Sequence, residues 1–214
     1  MRHWRILIAA LACLGPALQY GLMIHNESLA SGLAKSVEFF SYFTILSNIL
    51  AAVVLTAPLI AAGSVVATWA ERSSTRIGVA VYLTITAAIY HTLLSGLWDP
   101  KGWRLVSDTL LHTVTPALFV IDWLARGGRG ETGRATAAKA LIFPALYGVW
   151  TLAHGAMSGF YPYPFLDVGK HGYLSVIVTM LVMAGGFLLI ALLFTVIHQA
   201  RAKLAIGRGA PISA

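Results

Sequence analysis

SDTLLHTVTPALFVIDW, residues 107–123, is an apolar run of helical membrane character that nevertheless holds an imidazole, His112, near its beginning. Its polar residues Asp108, His112, Thr115 and Asp122 recur at i, i+4, i+7 and i+14, so they share one face of a helix while leucine, valine and phenylalanine cover the rest. That face must look at other protein or at water. Pro116 has no N–H to give the carbonyl of His112, so the helix is expected to bend or open at the histidine. Ionisable groups inside a membrane helix are costly, and their presence is a reason to look for a functional site.

Working outward, the 214 residues are 58% hydrophobic and 11% charged, which leaves too little polar surface for a water-soluble domain. The fold class expected is all-α, a six-transmembrane-helix bundle. Its spans are read as the first apolar run to residue 24 and runs 37–62, 77–97, 107–123, 137–158 and 171–199, each near the roughly 20 residues that a bilayer core demands. The first run lacks an A-x-A cleavage site and is read as a retained span. Residues 1–203 are expected to form one membrane domain and 204–214 a disordered cytoplasmic tail. The net charge of +7 is spread over loops, so it reads as an orientation signal and implies no nucleic-acid role. Eleven of the fifteen Lys and Arg fall on the side of the two termini, against Lys35, Lys101, Arg104 and Lys170 on the other. Both termini are therefore expected in the cytoplasm of a cell (inner) membrane. Cys13 is the single cysteine, so neither an intramolecular disulfide nor a CxxC motif exists.

Counting from the outer ends at 1.5 Å per residue, Thr44, His91, His112 and His154 lie roughly 6–10 Å deep on four separate spans. Each belongs to a helical stripe of polar or small residues: Ser41, Thr44, Asn48; Thr84, Ala88, His91, Ser95; Tyr147, Thr151, His154, Ser158. A lone membrane threonine ordinarily bonds back to the carbonyl four residues earlier, here Phe40. A lone histidine is as readily a hydrogen-bonder packed between helices. The shared level of all four favours a polar cavity in the outer-leaflet half. Asp122 and Arg126, four apart, read as a structural ion pair. Asp108 is open between a cap of the fourth helix and a partner that orients His112.

FFSYFTILSNIL, LLHTVTPALFVIDW and WTLAHGAMSGFYPYPFLDVG occur in an order, and over a length, that resembles the androgen-induced and androgen-dependent TFPI-regulating family of multi-pass membrane proteins and its bacterial Pr6Pr-type relatives. One departure is the proline four residues after the histidine, where the animal proteins have five. The resemblance implies an intramembrane threonine hydrolase that cleaves fatty-acid esters of hydroxy fatty acids, with Thr44 as nucleophile and His112 as base.

In that chemistry His112 takes the threonine proton during attack and returns it to the leaving alcohol. Asn48 and His154 are candidate donors to the tetrahedral oxyanion. His91 is a candidate to orient His112 or bind a substrate carboxylate. No cofactor is expected, and the expected partner is a lipid with long acyl chains, each buried methylene contributing about 0.8 kcal/mol. Two alternatives stay open. His91, His112 and His154 are the number of ligands that a catalytic zinc keeps, and a non-catalytic lipid carrier would use the same cavity only to bind. Oligomeric state is not legible from the sequence.

Overall fold

The computed structural model describes residues 2–130 and 132–207 and is all-α, with no strand among those residues. In chain order the helices are α1 (Arg2–Ile24), α2 (Leu29–Phe39), α3 (Phe43–Ile60), α4 (Val65–Glu71), α5 (Ser73–Ile89), α6 (Trp103–Thr109), α7 (Thr115–Arg126), α8 (Arg134–Lys139), α9 (Ile142–Ser158) and α10 (Val168–Gly207). Six segments are long and apolar enough to cross a membrane: His3–Ile24, Phe43–Ile60, Ser73–Leu97, Trp103–Arg126, Arg134–Ser158 and Val168–Leu204. The protein is an integral, multi-pass membrane protein. Its outward faces agree, since Leu181, Val182, Leu189 and Val196 of α10 are exposed apolar side chains, as a bilayer-embedded helix presents.

The run expected as one helix over 37–62 is two. α2 ends at Phe39, Tyr42 is extended (φ −85°, ψ 126°), and α3 starts at Phe43. A break inside an apolar run frees backbone groups that need partners, and α9 with the loop after it supplies them. The Tyr147 hydroxyl donates to the Ser41 carbonyl (3.0 Å), Trp150 Nε1 donates to Ser41 Oγ (3.0 Å), and the Tyr163 hydroxyl accepts the Thr44 N–H (3.1 Å). Thr44 thus stands in the first turn of α3 and not a few turns down a continuous helix. Its side chain bonds to Tyr163, not back to Phe40. α2 is amphipathic, with Leu29, Leu33 and Val37 exposed and Phe39 buried.

The fourth span does open at its histidine. α6 and α7 are joined by a π turn, Leu110–Val114, through which Thr115 N–H bonds the carbonyl of Leu110, five residues back. Pro116 follows with no N–H, and the carbonyl that consequently needs an outside donor is that of Leu111, not His112. Asn48 Nδ2 gives it a hydrogen bond of 3.0 Å. The third span opens likewise at a π turn, Tyr90–Leu94. The two π turns lie side by side, and the Tyr90 ring stacks on His112 at 3.8 Å and 11°.

Between the spans an aromatic core forms from Phe43, Tyr82, Phe143, Tyr147 and Phe187. At the end of the bundle where α5 begins and α7 finishes, Asp122 is fully buried between Arg76, at 2.6 Å, and Arg126. The expected pair is therefore a triad, its third member supplied by another span. The expected disordered tail is corrected over 204–207, where α10 continues to Gly207; the remainder, 208–214, lies outside the described residues.

Candidate functional site

Thr44 of α3 and His112 of the fourth span line one cavity of about 490 Å³, together with Asp108, Tyr90 and Tyr163. Both are buried, 7% and 8% exposed, which places them out of bulk solvent but in reach of a molecule in the cavity. Asn48 ties their backbones through one atom, since its Nδ2 donates to the carbonyls of both Thr44 (2.8 Å) and Leu111 (3.0 Å).

The imidazole is oriented from one side. Nδ1 lies 3.0 Å from the Asp108 carbonyl oxygen and 3.1 Å from Asp108 Oδ1. A carbonyl oxygen can only accept, so Nδ1 carries a hydrogen, and in the neutral imidazole the lone pair is then on Nε2. Among the described residues Nε2 has no hydrogen-bond partner. Tyr90 completes the clamp, with its ring stacked on the imidazole and its hydroxyl donating to Asp108 Oδ2. Asp108 lies inside α6, which starts after Gly102, so it faces His112 and does not cap the helix.

Thr44 and Tyr163 also line a second cavity of about 460 Å³, walled by Phe43, Ile85, Leu152, Met180 and Phe187. That cavity is almost wholly apolar, whereas the first carries Lys35, Glu38 and Gln19 on its lining. The threonine stands at the seam between them.

The remaining sequence candidates lie elsewhere. His91 is exposed, with Nε2 3.1 Å from Thr113 Oγ1, and touches the site only through an edge contact to Tyr90. His154 is half-buried and stacked on Trp150 at 5.3 Å, outside the lining of either cavity. A similar count along each helix therefore did not bring these two side chains into the cavity, because which face of a helix meets the cavity is set by packing. Asn48 is close but committed, since its N–H groups serve the Thr44 and Leu111 carbonyls and have none to spare for an oxyanion. Among the described residues no three His, Cys, Asp or Glu side chains come together in a way that could hold a metal ion. His91, His112 and His154 therefore do not form the ligand set that a zinc site would require.

Two site residues escaped the sequence reading. Tyr90 gives no signal, being one more aromatic in an apolar run. Tyr163 sits in GFYPYPFLDVG, which reads as an interface loop although its spacing has a structural purpose. Gly159 ends α9 in the left-handed region (φ 75°), and Gly155 leaves room for the ring of Tyr161, which a Cβ there would meet at 2.1 Å. The chain thereby folds back over α9 and brings Tyr163 to Thr44. Compared with protein-family models, curated proteins and solved structures, the chain matches none of them.

Proposed function

We propose that the protein is an intramembrane lipid ester hydrolase in which Thr44 attacks the acyl carbon and His112 is the general base. The observation that carries this reading is the shared cavity: a threonine and a histidine from separate spans line it, and the histidine has its Nδ1–H held by Asp108 and its Nε2 free. A hydroxyl becomes an effective nucleophile when a positioned base takes its proton as it attacks. His112 Nε2 receives the Thr44 proton and passes it to the leaving alkoxide. The acyl group then rests on Oγ1 until a water, deprotonated by the same imidazole, releases it as a fatty acid.

The substrate class follows from the seam. An ester carbonyl held at Thr44 has an apolar cavity of about 460 Å³ on one side and a polar-rimmed one of about 490 Å³ on the other, both within the usual range for small-molecule sites. That arrangement suits an ester with a long acyl arm and a second arm that ends in a polar group, as in fatty-acid esters of hydroxy fatty acids. The charge bias of the loops orients both termini to the cytoplasm of the cell membrane, so the lipid reaches the site from the outer leaflet.

The test is a fluorophosphonate probe applied to the purified protein, with release of free fatty acid from a branched long-chain ester measured alongside. Wild type is expected to take the label and turn over, and Thr44→Ala and His112→Ala to do neither. Equal labelling and turnover in Thr44→Ala would end the reading; lipid binding without any release of acid would make the protein a carrier.

A further inference from the structure

We propose that Tyr163 is a third catalytic residue, whose hydroxyl holds Thr44 Oγ1 for attack and then donates to the oxyanion of the tetrahedral intermediate. This inference rests on the threonine ester hydrolase reading.

The geometry is specific. The phenol oxygen accepts the Thr44 N–H at 3.1 Å and stands 3.2 Å from Thr44 Oγ1. Loss of solvent pushes the Tyr163 hydroxyl up to about 12, so it keeps its proton near neutral pH. With its oxygen already accepting from an amide, that proton is the group's contribution to a neighbouring oxygen. Directed at Thr44 Oγ1, it leaves the threonine's own proton free to point elsewhere, and His112 Nε2 lines the same cavity.

The steps balance. As Oγ1 bonds to the acyl carbon, its proton passes to His112 and the carbonyl π pair moves onto the ester oxygen. Oγ1 is now an ether-type oxygen and a weaker acceptor than the new oxyanion attached to the same carbon. The Tyr163 hydrogen bond shifts to the oxyanion without transferring its proton. Collapse returns the pair, breaks the bond to the leaving oxygen and sends the His112 proton to it; deacylation repeats the sequence with water. Throughout, the first-turn N–H of α3 stays on the phenol oxygen and polarises its O–H, as hydrogen bonds in a chain do. Asn48 has its N–H groups committed to two carbonyls and His154 lies outside both cavities, whereas the Tyr163 hydroxyl already stands at Thr44 Oγ1.

Tyr163 is also held rigidly. Its ring stacks on Phe165 (5.4 Å, 3°) and meets the edge of Tyr42 (5.8 Å, 87°). Tyr163→Phe keeps those contacts and removes one oxygen.

Fatty-acid release and fluorophosphonate labelling are measured on wild type, Thr44→Ala, Tyr163→Phe and a control, Tyr161→Phe, whose loop phenol lines neither cavity. Tyr163→Phe is expected to lower kcat by about 10²–10³, the usual loss of one oxyanion donor, with KM unchanged and labelling slowed in parallel, and to lower the melting temperature modestly because the Thr44 N–H loses its acceptor. Tyr161→Phe is expected to match wild type. If Tyr163→Phe turns over within twofold of wild type while Thr44→Ala is silent, the hydrolase reading stands and this inference fails. If Thr44→Ala is as active as wild type, or wild type is inert, both fail. Should Tyr163→Phe not fold, 3,5-difluorotyrosine at 163 keeps the phenol and lowers its pKa. It is expected to introduce an alkaline loss of kcat that wild type lacks, and its absence overturns the inference.

Discussion

On the fourth span, Asp122 is enclosed by Arg76 and Arg126, whereas His112 is held on one side by Asp108 and Tyr90 and faces a cavity on the other. Both are ionisable groups buried in an apolar bundle, and both carry the cost that burial imposes. At Asp122 one carboxylate oxygen takes both guanidiniums, so the group ties α5 to α7, and neither cavity described above reaches it. At His112 a donor is spent and a lone pair is kept. Burial of a polar residue is thus no sign of chemistry by itself; the unspent atom facing open space is.

The comparison is broken most sharply by Thr44→Ala, expected to abolish turnover, a loss above about 10³-fold in kcat, with no change in melting temperature. Acid release and thermal unfolding of the same preparation check the two halves. Asp122→Ala is the converse. It strands two arginines and should lower stability by about 3–5 kcal/mol, seen as earlier thermal unfolding in detergent, while the rate per probe-labelled molecule stays at the wild-type value. A large loss of rate in the folded fraction would mean that the two ends are not independent. Asp108→Asn sharpens the other side by keeping the shape and removing the charge. Its expected cost is about 10²-fold in kcat, the low end of what a positioned base contributes, with KM little changed. The smallest effect is expected for Asn48→Ala, which leaves the Leu111 and Thr44 carbonyls without their donor and should cost about 1–3 kcal/mol of stability, again read from thermal unfolding.

The six spans, the all-α class and the opening of the fourth helix at its histidine were legible in the chain alone. They follow from local rules: a bilayer demands a fixed length of apolar helix, and a proline removes one N–H wherever it stands. Thr44 and His112 do line one cavity, but it was the resemblance that singled them out, since spacing alone grouped them with His91 and His154. His91 and His154, expected beside them from a count of depth, do not line that cavity, since depth along a helix does not say which neighbour its face will meet.

What only the tertiary structure decided are the break at 40–42 and the two π turns, with the residues that depend on them. A break in an apolar run is stable only when distant groups take its freed backbone, and here Tyr147 and Tyr163 do so from more than a hundred positions away, with Trp150 holding the Ser41 side chain. Leu111 likewise depends on Asn48, and the Nδ1–H of His112 is fixed within its own span while its stacking partner Tyr90 comes from another. Sequence sets which groups a segment must hide and which it cannot satisfy by itself; the partners that meet those needs, and the atoms left over to act, exist only once the helices are side by side.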